Sequence, residues 1–255
     1  MAEERSIELE IEVEGTPEEV WRAIATGPGI SSWYVPHTVE EREGGGITIS
    51  FGPDMEAPGR VAAWDPPRRV VFDGGEGDDG LAFEWLIDAR DGGTCIVRLV
   101  NTGFQAGGEW DAQYDGMTEG WQMFLSNLTL HLKHFSGQKA TSMLPSGSWA
   151  GTRSEGWKAL TSSLGIAANP AIGERIEIDV SDAPTLAGTV VEVTPSRITL
   201  LTDQPARGTA FLAVEGDGPL EVSIWAYLYG ADGAAAVERD GARWREWLTT
   251  RSPKE

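Results

Sequence analysis

The sequence predicts an α+β fold: a curved antiparallel sheet wrapped around a long C-terminal helix over residues 1–137, and a second, degenerate copy beyond residue 153. Three observations predict it. Short alternating runs follow one another at hairpin spacing. A long amphipathic stretch closes them. Part of that pattern then returns in the second half.

The first run, SIELEIEV (6–13), alternates, so Ile7, Leu9, Ile11 and Val13 share one face of a half-buried strand. Gly15 ends it. Thr16-Pro17-Glu18-Glu19 reads as a helix start, with Thr16 as N-cap, Pro17 at the first helical position and Glu19 completing a capping box. That helix buries Val20, Trp21 and Ile24 and stops near Gly27-Pro28-Gly29. A second short helix is expected over 30–34.

Strand-like runs follow at 47–51, 59–64, 69–73, 81–88 and 94–100. Asp65-Pro66-Pro67 turns the chain between the second and third, and Ala89-Arg90-Asp91-Gly92-Gly93 marks a hairpin between the last two. Antiparallel neighbours joined by such short links form a meander. From about 110 to 135, Tyr114, Met117, Trp121, Phe124, Leu125, Leu128 and Leu132 recur at steps of three and four. So apolar a helix face must pack on the sheet.

The segment 138–153 is rich in Ser, Gly and Thr, lacks a period and reads as a linker. After it, Trp157-Lys158-Ala159-Leu160 matches Trp21-Arg22-Ala23-Ile24. GTVVEVTPSRITL (188–200) matches 59–72, and 211–228 matches the hairpin 83–100. The closing helix returns over 234–249 with Trp244 and Trp247. The matched points lie 136, 129 and 128 residues apart, so 154–255 reads as a smaller degenerate repeat, without an obvious first strand.

Charge limits the partners. The chain of 255 residues has a formal net charge of −20. Residues 1–137 hold 25 Asp/Glu against 9 Lys/Arg, or −16, and 138–255 hold 15 against 11, or −4. Nucleic-acid and anionic-membrane partners are therefore not expected. The single cysteine, Cys95, permits no intramolecular disulfide and reads as a buried inert thiol. The start MAEERSIELE lacks a signal-type apolar core, and the expected location is cytoplasmic.

The first half resembles the SRPBCC or START-like superfamily, and within it the homologues of the activator of heat-shock-protein-ninety ATPase. Thr16-Pro17-Glu18-Glu19-Val20-Trp21 with Ile24 carries the likeness, then Trp33, Gly59-Arg60-Val61 and Asp65-Pro66-Pro67. Gly92-Gly93-Thr94 with Val97 and Leu99, Gly103-Phe104, and Gly120-Trp121 with Leu125 and Leu128 complete it. The resemblance covers roughly residues 5–135. It implies a helix-grip fold with an apolar cavity between sheet and helix, in a superfamily of lipid and polyketide binders, cyclases and a co-chaperone. Fold transfers across such a group; function does not.

The aromatic set is the candidate ligand site. Trp33, Tyr34, Phe51, Phe72 and Phe83 belong to it, with Trp85, Trp110, Tyr114, Met117 and Trp121. Trp33-Tyr34 and Trp110-Tyr114 are expected to frame the mouth. The same residues would also serve as plain core. His131 and His134, three apart, lack a supporting ligand cluster for zinc. His37 reads as a lone loop histidine. Glu84 is expected to face solvent, and neither it nor Asp115 forms a readable carboxylate pair. The glycines of 44–46 precede a strand, and Gly74, Gly75 and Gly77 sit in an acidic loop, so neither reads as a phosphate loop. No catalytic residue, cofactor or metal is expected.

The leading expectation is non-catalytic binding of a small hydrophobic molecule. One alternative is a chaperone-assisting or protein-interaction module, with a protein partner or a homodimer. The other is a cyclase- or hydratase-type enzyme.

Overall fold

A computed structural model describes residues 5–52, 55–75, 80–104, 109–216 and 218–252. The chain divides into two compact units, 1–139 and 140–255.

The first unit opens with β1 (Arg5–Glu14), α1 (Pro17–Ala25) and α2 (Gly27–Ile30). Six strands follow: β2 (His37–Val39), β3 (Gly46–Ser50), β4 (Glu56–Asp65), β5 (Arg69–Asp73), β6 (Ala82–Arg90) and β7 (Thr94–Phe104). α3 (Glu109–Phe135) closes the unit. The strands form one antiparallel sheet in the order β1-β7-β6-β5-β4-β3-β2. β1 returns to pair with β7, from Glu14 opposite Thr94 to Arg5 opposite Phe104. Ile7 and Val13 are buried while Glu8, Glu10, Glu12 and Glu14 are exposed, as the alternation requires. Trp121, Leu125, Leu128 and Leu132 of α3 are buried.

Helix starts follow local chemistry. The capping box at Thr16 and Glu19 is present in both directions. The short second helix covers Gly27–Ile30, earlier than the expected 30–34. The Thr26 hydroxyl accepts from Gly29 N–H at 3.1 Å, so the residues read as the stop of α1 instead cap and begin α2.

The second unit contains β8 (Ala140–Met143), β9 (Ser146–Trp149), α4 (Arg153–Ser163) and β10 (Arg175–Ile178). β11 (Leu186–Thr194), β12 (Arg197–Gln204), β13 (Gly208–Glu215), β14 (Leu220–Tyr229) and α5 (Gly230–Thr250) complete it. The sheet order is β10-β11-β12-β13-β14-β8, with β9 also on β14. With β8 and β9 taken as two pieces of one strand on β14, this is the order of the first sheet with one strand fewer, and the second unit repeats the fold.

Two readings change here. The segment 138–153 is not simply a linker, because β8 and β9 add to β14 as β1 adds to β7. The missing first strand is present but broken at Leu144-Pro145, and Pro145 O accepts from Ile224 N–H across the break at 3.2 Å. Two four-residue pieces with little apolar alternation leave no strand signal. The hairpin match also moves by one residue. Phe72 stands opposite Phe83 and Leu200 opposite Ala210, so the counterpart of Phe83 is Ala210. A slip of one residue exchanges the faces of a strand, so the match at Phe211 pairs opposite faces.

Finer details repeat as well. A β-bulge falls between Val61 and Ala63 in β4 and between Val190 and Glu192 in β11. Gly15 and Gly151 hold φ of 126° and 110°, each just before a threonine that caps a helix with a glutamate three residues on. The shared run is G-T-x-x-E-x-W at 15–21 and 151–157.

Candidate functional site

A cavity of about 260 Å³ lies in the first unit, between the concave face of the sheet and the α2 and α3 side. The strand register builds its floor. Phe72 on β5 faces Phe83 on β6, and Val70 faces Trp85. Ile47 and Ile49 of β3, with Ala57 and Pro58 of β4, line the side toward the sheet edge. Ile24, Ile30 and Trp33 come from the first helices, Met117 and Trp121 from α3.

Aromatic edges meet faces through the wall. Trp33 and Trp85 have ring centroids 5.7 Å apart, and Trp85 and Trp121 5.6 Å, both near-perpendicular. Such T-shaped pairs add to burial and fix ring orientation. Hydrogen bonds pin the walls from behind. Trp121 Nε1–H donates to Asn101 Oδ1 at 3.3 Å, and Asn101 Nδ2 donates to Ala82 O at 3.0 Å. Trp33 Nε1–H donates to Ala23 O at 2.9 Å, and Asn127 Nδ2 on α3 donates to Trp33 O at 2.8 Å. The N–H groups of the Trp33 and Trp121 indoles are thus spent in the wall, which leaves their apolar ring surface for the cavity.

Tyr34 and His37 form one corner. β2 passes so close to α2 that a Cβ on Gly27 would lie 2.9 Å from His37 O. Ser31 Oγ accepts from His37 N–H at 2.9 Å and donates to Gly27 O at 2.7 Å. The imidazole Nδ1 lies 2.7 Å from Val35 O. A carbonyl can only accept, so Nδ1 carries the proton and Nε2 is left as an acceptor. Burial lowers the His37 pKa to about 4, against a smaller opposing effect of the Val35 carbonyl. The ring is therefore neutral near pH 7. Burial also pushes the Tyr34 hydroxyl pKa well up. The two rings lie 5.4 Å apart. Neither Tyr34 Oη nor His37 Nε2 has a hydrogen-bond partner among the described residues.

Asp73 is the charged group of the wall. Arg60 grips it with two hydrogen bonds, at 3.3 and 3.0 Å, and Gly75 N–H adds a third at 3.0 Å. The Arg60 hydrogen bond is the largest cause holding the Asp73 carboxyl below its ordinary range.

Trp33, Tyr34, Phe51, Phe72, Phe83, Trp85, Met117 and Trp121 line the cavity. Phe51 does so from the rim, where it is 51% exposed. Tyr114 does not line it: its ring lies against Phe104 at 5.2 Å and under Arg5 at 4.1 Å, and its hydroxyl donates to Ser6 O. The side chain of Trp110 lies outside the described residues, as does Gly77 of the acidic loop. His37 is not a solvent-facing loop histidine, because it begins β2 and borders the cavity. The aliphatic lining and Asp73 carry no signal that separates them from ordinary strand residues.

The remaining candidates fall elsewhere. Glu84 is bound by Arg69 at 2.5 Å away from the lining, and Asp115 is exposed. Cys95 is fully buried, and its Sγ lies 3.4 Å from Gly15 O. His131 is buried with a pKa lowered to about 4 by desolvation. Among the described residues no His, Cys, Asp and Glu cluster could hold a metal, and no helix is long and apolar enough to cross a membrane.

No curated protein matches the sequence. Among solved structures, a Bacillus halodurans protein has 20% identity over 52% of this chain and 99% of its own, with a TM-score of 0.45. The Aha1 dimer from Colwellia psychrerythraea has 18% identity over 52% and 99%, also at 0.45. The di-domain ARO/CYC protein BexL of the BE-7585A biosynthetic pathway has 15% identity over 96% of this chain and 92% of its own, again at 0.45. The model of the family described as activator of Hsp90 ATPase homolog 1-like protein matches residues 14–133. That match falls within the first unit and runs from the end of β1 into the last turn of α3, the segment that holds most of the sheet and its closing helix.

Proposed function

We propose that the first unit binds a small, mostly apolar molecule in its cavity without transforming it. The observation that carries this reading is the wall. It combines aromatic and aliphatic surface with one uncharged polar corner, the make-up of pockets that hold small organic ligands.

A catalytic reading draws on the same corner, since a cyclase or hydratase would need a polar pair with shifted pKa values inside the cavity. The direction of the shifts favours binding. A base whose conjugate acid has a pKa of about 4 is weak at pH 7, and a phenol pushed upward is a poorer acid. Both groups suit hydrogen bonding to a neutral ligand better than proton transfer. An interaction module would call for a broad exposed apolar patch. The large exposed hydrophobics among the described residues are Phe51, Met55 and Ile172. Phe51 N–H donates to Met55 O, so the first two sit together at the cavity rim and fit a ligand entrance.

Native mass spectrometry of the freshly purified protein tests the proposal. The expected result is an adduct of a small organic molecule, absent from the denatured spectrum and lost in a folded Trp121→Ala variant. A clean mass both as purified and after incubation with small aromatic compounds would overturn it.

A further inference from the structure

We infer that the cavity selects an uncharged ligand of about bicyclic aromatic size with a single hydrogen-bonding end, a phenol or alcohol, held by Tyr34 Oη and His37 Nε2. This rests on the binding reading above and gives the ligand a chemical class.

Size comes first. A cavity of about 150 Å³ lined by apolar side chains holds benzene. At about 260 Å³, this one has room for a second fused ring. Its T-shaped ring pairs present faces and edges suited to a flat aromatic body.

Polarity comes next. Buried polar groups in folded proteins nearly always find a partner. Here the Trp33 and Trp121 indoles and Asn101 have theirs, whereas Tyr34 and His37 have unspent capacity together at one corner. The proton on Nδ1 makes Nε2 an acceptor, and the Tyr34 hydroxyl can donate or accept. A ligand hydroxyl satisfies both at once, by donating to Nε2 and accepting from Oη. A hydrocarbon leaves both unpaired in an apolar site, which is costly.

Charge comes last. Among the described residues the lining holds no lysine or arginine, and its carboxylate, Asp73, is already gripped twice by Arg60. A ligand carboxylate would find no free cation, and it would lose hydration beside neutral groups and a fixed negative charge. A ligand ammonium would find Asp73 already paired.

The test is calorimetric titration of the full chain at pH 7 with 2-naphthol, naphthalene, 2-naphthoate and 2-naphthylmethylammonium. The expected result is 2-naphthol bound about ten-fold or more tightly than any other. In Tyr34→Phe its affinity should fall toward that of naphthalene. If that variant fails to fold, the wild-type His37 Nε2 nitrogen resonance replaces it: it should move on adding 2-naphthol and stay still with naphthalene. Equal affinity for 2-naphthol and naphthalene, or tighter binding of either ion, would overturn the inference and leave the apolar-binding reading standing. No binding of any of the four would also overturn it. The broader reading falls only if the native mass spectra are clean as well.

Discussion

The two units share a strand order, a β-bulge and a capping motif, yet their inner faces differ. By register, Phe72, Phe83, Trp85 and Asn101 in the first unit correspond to Leu200, Ala210, Leu212 and Ala226 in the second. The second unit gathers these residues with Trp149, Trp157, Trp244 and Trp247 into one buried cluster. Large rigid rings on a concave sheet brace one another and leave a gap. Smaller aliphatic side chains leave room on the sheet for the helix-borne Trp157, Trp244 and Trp247 to join the same buried cluster. One fold thus surrounds a cavity in the first unit and gathers a buried apolar cluster in the second, with inward residues of different size. The indoles follow suit: Trp121 Nε1–H has Asn101 as acceptor, and the position of Asn101 is alanine in the second unit. There the buried Trp244 Nε1 has no acceptor among the described residues.

The comparison breaks most readily in the packed unit. Leu212→Ala should cost about 2–5 kcal/mol of the second unit's stability, because Leu212 is fully buried in that cluster and its loss leaves a cavity. Phe83→Ala should cost less, since one side of that ring already faces the cavity. Denaturant unfolding followed separately in each unit checks the order, and a larger loss for Phe83→Ala would contradict it.

Acid should separate the units next. All three histidines lie in the first. His131 is 2% exposed, and its folded pKa of about 4 is below the ordinary value of 6.5. The unfolded chain binds the proton more readily, so stability is full above pH 6.5 and falls as pH drops toward 4. The loss approaches roughly 3 kcal/mol for this group. His37 acts in the same direction. The first unit should therefore lose stability between pH 6.5 and 4, and the second should lose none through histidine. Thermal melts across that range check this.

Filling the hollow should act on binding alone. Ile49→Phe adds a ring to the wall and should abolish small-molecule binding while shifting stability by about 1 kcal/mol or less. Titration and melting of the same variant separate the two effects. The smallest effect concerns α3, where a Cβ on Gly116 or Gly120 would meet nothing within 4 Å. Each change to alanine should stabilise the first unit by about 0.5–1 kcal/mol through helix propensity, with binding unchanged.

What the sequence reveals depends on how local the cause is. The alternation of β1 and the capping box at Thr16 are written in adjacent residues and read directly. The split strand β8–β9 is not, because Pro145 cuts it and its pairing with β14 is specified far along the chain. The cavity aromatics stand out by residue type, but type does not tell lining from core. Tyr114 sits on the same helix as Met117 yet turns toward Phe104 and Ser6. His37 reads as a loop residue because β2 is three residues long and depends on the close approach permitted by Gly27. The unspent corner arises from where hydrogen bonds end, which only the assembled fold decides.

The most direct test of the central claim is a set of intermolecular nuclear Overhauser effects between 2-naphthol and methyl-labelled protein. The account predicts contacts to the methyls of Ile24, Ile30, Ile47, Ile49 and Met117, and none to Ile198, Leu200 or Leu212. Contacts confined to the second unit, or none in either, would contradict it.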